Sequence, residues 1–297
     1  MSGSRRTTLL ATSALLAVAA VWGSTFFLIH DLLTRVPTLD FLAVRFAIAT
    51  ATGVALAPRA LARLSYDSRR KAAALGCVYG AAQILQTAGL GRTPASISGF
   101  ITGMYVVATP VFAALILGSR IRRSTWLAVL LATAGLGVLT LSGLSIGYGE
   151  ALVFVSAMTY ALHIVGLGAW SEPGQALGMS IVQLMVITVI CLLCTAPDGM
   201  ELPDRPGDWL SVVYMAVVAG AAAMIGQTWA QAHLPPARAA LIMSMEPVFA
   251  AVFAVLFGDE SATVRMLVGG LMVLVAMMVV ELVPRRVRVP EATHIAV

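Results

Sequence analysis

Apolar stretches of about twenty residues follow one another along almost the whole chain, each long enough to cross a hydrocarbon core about 30 Å thick at 1.5 Å per residue. They fall at about 8–33, 38–58, 72–91, 95–118, 125–142, 150–170, 177–196, 208–232, 235–257 and 262–283. Only 11% of the 297 residues are charged and 59% are hydrophobic, against roughly a quarter charged in a soluble domain. The expected fold class is therefore an all-α polytopic membrane protein with ten transmembrane helices, and its first partner is the lipid bilayer. All connections are short, which argues against an extramembrane catalytic module. The first apolar run continues through "WGSTFFLI", past the length of a signal-peptide core, and is read as a membrane helix.

The positive charges give the orientation. With ten spans, the amino terminus, the even-numbered loops and the carboxyl terminus share one side. That side carries Arg5, Arg6, Arg59, Arg63, Arg69, Arg70, Lys71, Arg120, Arg122, Arg123, Arg238, Arg285, Arg286 and Arg288, which is 14 of 19 basic residues. Arg35, Arg92, Arg205 and Arg265 fall opposite, and Arg45 falls within a span. The bias predicts both termini in the cytoplasm. The loop at 197–208, with Asp198, Glu201, Asp204 and Asp208, then faces outward. No basic stripe with interleaved aromatics suggests nucleic acid. Cys77, Cys191 and Cys194 lie in apolar runs and read as small buried apolar side chains, and no spacing suggests a metal or a cofactor.

The chain repeats itself. "PVFAA" occurs at 110–114 and again at 247–251, a separation of 247 − 110 = 137 residues. Upstream, "ILQTAG" at 84–89 matches "IGQTWA" at 225–230, where 227 − 86 = 141. The halves are then 1–145 and 146–297, five helices each. Because five is odd, the second half enters the membrane from the other side. Such inverted repeats place a substrate site near the midplane between the halves and point to alternating access.

The stretches "AVWGSTFFLI", "FLAVRFAIA", "FITGMYVVATPVFAAL" and "LPPARAALIMSMEPVFAAVFAVLFGDE" resemble the EamA-type family of the drug/metabolite transporter superfamily over nearly the whole chain. The resemblance implies ten helices in inverted repeats and export of amino acids or other small metabolites from the bacterial cytoplasm, without an ATP-hydrolysing domain. The fourth span departs from the pattern: it ends "LILGSR" where the ninth ends "VLFGDE".

Polar residues inside the spans are the candidates for work. Glu246 lies eleven residues past Pro235, about 16 Å into the membrane, where an ionisable group costs about 3 kcal/mol or more and faces a partner or a cavity. It suits proton coupling or a substrate ammonium, and its bland alternative is a charge paired within the bundle. Pro247 beside it and its twin Pro110 free a backbone carbonyl and act as hinges. Arg45, about 10 Å in, either holds a substrate carboxylate or pairs structurally, and the structural role is favoured. His163, about 20 Å in, is either a site-lining residue or an interhelical donor. Gln83, Gln86 and Gln227 offer neutral donors and acceptors, and Trp22, Tyr79, Tyr105, Tyr160 and Trp229 an aromatic wall.

The expected function is an exporter of small metabolites, amino acids first, by alternating access through a central cavity, with protons as a candidate coupling ion. Lipophilic or cationic drugs, other metabolites or a channel-like facilitator are the alternatives. A hydrolase is disfavoured, because His163 has no glycine-rich serine motif beside it and no His, Asp or Glu cluster has metal-site spacing.

Overall fold

With so few charges and such long apolar runs, the backbone has only itself to bond to, and the chain satisfies it with helices. The computed structural model describes residues 2–93, 95–118, 123–140, 147–196, 199–257 and 263–282, and among these there is no strand. Arg120, Arg122, Asp198, Arg285, Arg286 and Arg288, which entered the charge argument, lie outside the described residues.

The helices are α1 (Ser2–Gly23), α2 (Thr25–Leu32), α3 (Thr38–Leu56), α4 (Tyr66–Leu90), α5 (Ala95–Gly103), α6 (Tyr105–Leu117), α7 (Arg123–Thr140) and α8 (Tyr148–Trp170). They continue as α9 (Ala176–Thr195), α10 (Pro206–Ala216), a π-helical segment Val217–Ala222, α11 (Ala223–Gln231), α12 (Pro236–Met243), α13 (Glu246–Phe257) and α14 (Val264–Leu282). Six stretches are long and apolar enough to cross a membrane: Arg5–Leu32, Thr38–Leu56, Tyr148–Trp170, Ala176–Thr195, Pro206–Gln231 and Pro236–Phe257. Two shorter apolar helices lie at Ile101–Leu117 and Leu267–Ala276. The two remaining expected spans coincide with α4 and α7, whose first turns carry Asp67, Arg69 and Arg70 on α4 and Arg123 on α7.

Four of these stretches are interrupted. α1 gives way to α2 at Ser24, whose Oγ donates to Val21 O at 2.7 Å, a back-bond that bends helices. α5 gives way to α6 at Met104, and α12 to α13 at Ser244–Met245. Pro247 sits within a turn of its break, as a missing N–H requires. Pro110 does not: α6 runs through it, and the break lies six residues earlier. The fourth interruption is the π-helical segment between α10 and α11, and no proline marks it.

The most extensive packing pairs are α7 with α14, α4 with α8 and α9, and α3 with α9, so helices from before residue 140 pack chiefly on helices from after 147. Small residues permit this. At Gly23, an added Cβ would stand 2.7 Å from Glu246 O and 2.8 Å from Ala250 N, so the end of α1 rests on the backbone at the start of α13. At Gly135 it would stand 2.8 Å from Gly269 O, where α7 meets α14. Lipid-facing positions are apolar, among them Leu115, Leu210 and Leu271. Cys191 is buried, but Cys77 and Cys194 lie on the exposed surface rather than inside, because their helices turn that face away from the bundle.

Cross-links identify the two ends of the bundle. At one end the connection after α2 meets the start of α10, through Arg35 and Asp208, and Asp40 accepts from Glu201 N at 3.0 Å. At the other end Gly178 lies against Ala60 and Leu64, and Leu64, Ala72, Leu75, Leu167 and Met179 form an apolar cluster.

Gly23→Ala forces backbone against backbone and is expected to cost about 1–3 kcal/mol. Gly207→Ala, whose Cβ would meet nothing within 4 Å, is the control. Thermal unfolding of the purified protein in detergent checks both: Gly23→Ala lowers the midpoint, and Gly207→Ala leaves it near wild type.

Candidate functional site

Three of the four interruptions border one cavity. α1 and α2 supply Trp22, Thr25, Phe26 and Ile29, and α3 supplies Arg45. α4 supplies Gln83, Gln86, Thr87 and Leu90 along one face, at the three- and four-residue spacing of a helix. Thr102 and Tyr105 flank the break between α5 and α6. Tyr160 and Ile164 come from α8, Gln227 from α11, and Met243 and Glu246 from either side of the break between α12 and α13. Its volume is about 40 Å³, room for a few water molecules at most. A metabolite enters only if these walls part.

The polar groups on the wall are partly spent on one another. Tyr160 Oη donates to Gln86 Oε1 at 2.9 Å, and Gln86 Nε2 donates to Thr102 Oγ1 at 3.0 Å, tying α8, α4 and α5 together. Tyr105 Oη donates to Glu246 Oε2 at 3.5 Å, a long bond that leaves the carboxylate with acceptor capacity to spare. Gln227 Nε2 reaches only the sulfur of Met243 at 3.8 Å, and among the described residues Gln227 Oε1 has no partner. The Arg45 guanidinium is 5.1 Å from the Phe46 ring and 5.8 Å from the Phe41 ring, and Arg45 Nε donates to Met215 O at 3.2 Å.

Met215 O belongs to the turn that leads into the π-helical segment. A π turn shifts the bonding register and leaves carbonyls without their usual partners, which is why such turns collect side-chain donors. Here Arg45 takes Met215 O and Trp22 Nε1 takes Ala219 O at 2.9 Å. Ser24 Oγ and Tyr214 Oη lie 2.6 Å apart, so the break after α1 is bonded to α10. "WGS" at 22–24 thus touches three parts of the molecule: Trp22 the π-helical segment, Gly23 the backbone at Glu246, and Ser24 Tyr214.

Of the residues singled out from sequence, Trp22, Arg45, Gln83, Gln86, Tyr105, Tyr160, Gln227 and Glu246 stand on the cavity. Tyr79, His163 and Trp229 stand behind it. Tyr79 Oη accepts from Gln83 Nε2 at 2.8 Å and its ring lies 5.0 Å from that of His163. His163 Nε2 donates to Gln183 Oε1 at 2.7 Å, an interhelical bond between α8 and α9. Trp229 packs on His233 at 4.7 Å between ring centres. Arg45 and Glu246 share the cavity, but no ion pair joins them. Sequence reasoning missed Thr25, Phe26, Ile29, Thr87, Leu90, Thr102, Ile164 and Met243. Thr25, Phe26 and Ile29 follow Trp22 at helical spacing, and Thr87 and Leu90 follow Gln83, so a periodicity drawn from the polar anchors points to them.

The profile of the EamA-like transporter family matches residues 9–141 and 147–282. The chain belongs to the EamA-like transporter family. It is thereby a member of the drug/metabolite transporter superfamily and a membrane transporter rather than an enzyme. An uncharacterized transporter from Archaeoglobus fulgidus is 27% identical over 275 residues, covering 92% of this chain and 86% of that one. A solved crystal structure has a similar fold, with a TM-score of 0.78 over 94% of this chain and 98% of its own, at 17% identity.

At one end of this EamA-like bundle lies an ionic knot. Arg35 Nη2 is 2.6 Å from Asp31 Oδ2 and 2.8 Å from Asp208 Oδ1, joining α2 to α10. Asp31 and then Asp208 push the Arg35 pKa further above its already high ordinary value, so this guanidinium stays charged throughout. Exposed ion pairs are individually weak, so losing this knot is expected to loosen a two-state equilibrium by about fivefold at most. Arg35→Ala is therefore expected to speed modification of Ile29→Cys by a membrane-impermeant maleimide up to about fivefold, in a background with Cys77 and Cys194 replaced by serine. An unchanged rate means the knot does not hold the cavity shut.

Proposed function

We propose that this protein is a secondary transporter that exports small metabolites, amino acids first, by alternating access of the central cavity to the two faces of a bacterial inner membrane. In this reading ten helices form two inverted halves, 1–145 and 146–297, with both termini in the cytoplasm. The two separate stretches matched by the family profile, 9–141 and 147–282, support that division.

The observation that carries the reading is the cavity itself. Both proposed halves build it, Tyr105 of the first bonds Glu246 of the second across it, and helix breaks border it. A space of about 40 Å³ is no open pore, so passage of a metabolite requires moving walls, which favours a carrier over a channel-like facilitator. Backbone breaks at Ser24, Met104 and Ser244–Met245 supply places for the walls to bend, Pro110 keeps α6 one helical bond short, and Pro247 sits in the first turn of α13 just past its break. The wall combines amides, hydroxyls and one carboxylate with the apolar side chains of Phe26, Ile29, Leu90 and Ile164, which suits a small amphiphilic molecule such as an amino acid. The apolar share of the wall also favours lipophilic cations as the second cargo class, with Glu246 as their counter-charge. Glu246, buried and bonded only weakly, is the group for proton coupling.

Proteoliposome counterflow with a panel of amino acids, with and without a pH gradient, tests this. Wild type is expected to exchange at least one amino acid saturably and faster with the gradient. Glu246→Gln is expected to abolish the effect of the gradient while exchange persists. Gradient dependence that survives in Glu246→Gln removes the coupling role, and a wild type that exchanges no amino acid removes the amino-acid reading.

A further inference from the structure

Arg45 is a cation without a counter-ion at the most expensive place for one. It is 2% exposed, inside an apolar bundle, where an unpaired charge is retained only for a partner or a function. Among the described residues it forms no ion pair and one hydrogen bond, from Nε to Met215 O. Guanidinium carries five N–H donors in a planar fork, so the two terminal nitrogens, with four of the five, bond nothing in the described structure.

Its structural duties are met without those four donors. Phe41, one turn earlier on α3, and Phe46, the next residue, hold the guanidinium by their rings. The Nε bond supplies a carbonyl next to the π-helical segment with a donor. A residue needed only for that task requires a single N–H, as Trp22 shows at Ala219 O. Arg45 lines the same cavity as Glu246 and as Gln227, whose Oε1 has no partner among the described residues. One wall thus offers unspent donors with positive charge, and others offer unspent acceptors. Direct pairing of Arg45 with Glu246 would cancel both, and it does not occur.

We propose that Arg45 is a specificity-determining residue that receives a carboxylate of the cargo on its free guanidinium edge, so that the transporter selects carboxylate-bearing metabolites over the corresponding amides and amines. The proposal rests on the transport reading above and adds the chemical class that the site demands. Planar carboxylate on planar guanidinium makes two parallel charge-assisted bonds, the geometry in which arginine and lysine differ most. A cargo lacking the carboxylate leaves four buried donors and a charge unmet, and sites built to bond a substrate group discriminate most strongly against analogues without it. The anchor on Met215 O also ties the receiving fork to the turn before the π-helical segment, so a cargo drawing on Arg45 acts on the irregular part of that span.

The experiment uses wild type, Arg45→Gln and Arg45→Lys in proteoliposomes loaded with L-leucine, L-phenylalanine or L-methionine. External competitors are the amino acid, its primary amide and the amine lacking the carboxyl group. Wild type is expected to favour the acid over amide and amine by at least about tenfold, the scale of a charge-assisted bond. Arg45→Gln is expected to bring that ratio close to one, and Arg45→Lys, which keeps the charge but loses the fork, to an intermediate value. A purely structural arginine predicts a different result: all three competitors weaken together and the ratio stays. Overturning outcomes are a wild type that accepts amide and amine as well as the acid, or an Arg45→Gln protein that keeps the wild-type ratio. If Arg45→Gln does not fold, as size-exclusion chromatography reads, wild type and Arg45→Lys decide by the same ratio. Exchange of none of the three amino acids overturns the amino-acid reading and this proposal together, whereas exchange without preference for the acid overturns this proposal alone.

Discussion

In hydrocarbon every backbone N–H and C=O must find a partner within the protein, and that constraint governs where this bundle can be irregular. A regular helix meets it alone. A departure from regularity needs a side chain to meet it: Ser24 and Ser244 bond carbonyls of their own spans, and at the π-helical segment the side chains come from other helices. Trp22 and Arg45 serve carbonyls in and beside the π-helical segment of the Pro206–Gln231 span, and Ser24 is bonded to Tyr214 of the same span. The irregular places are therefore fastened to one another, around the cavity that they border.

That arrangement explains a division of labour among the buried polar residues. Some of these groups find partners nearby: Gln83 on the wall donates to Tyr79 behind it, and His163 Nε2 donates to Gln183, although His163 Nδ1 has no partner among the described residues. Three groups on the wall are only partly satisfied: Glu246 has one long bond, Gln227 one weak contact with sulfur, and Arg45 one bond of its five. A buried polar group left short of partners is costly. Glu246, Gln227 and Arg45 share one small space, where a cargo with donors, acceptors and charge would relieve that cost. The two ends differ in kind, an Arg35 knot at one and an apolar cluster around Leu64, Leu75 and Met179 at the other, so opening each end breaks a different sort of contact.

Particular residues show what was legible beforehand. Glu246 and Arg45 stood out because a charge inside an apolar run has few explanations, and both stand on the cavity. Pro247 marked a helix break because it lacks an N–H, but Pro110, with the same chemistry, lies inside a continuous α6. Local chemistry permits a break there without requiring one. His163 and Trp229 carried the same signal as the residues on the wall, yet their helices turn them toward other neighbours. Phe26, Ile29 and Leu90 carried no signal of their own, since an apolar residue facing a cavity and one facing lipid look alike in a sequence.

The sequence by itself determined the solvent, the helical class and the residues too polar to be left facing lipid, because these follow from hydropathy, segment length and the cost of burying charge. Only the tertiary structure decided which of those residues meet. Helix rotation, the close approach allowed at Gly23 and the π turn after Ala216 depend on contacts between segments nearly two hundred residues apart, as between Trp22 and Ala219. No local pattern encodes such contacts, because each partner is ordinary until the other is placed against it.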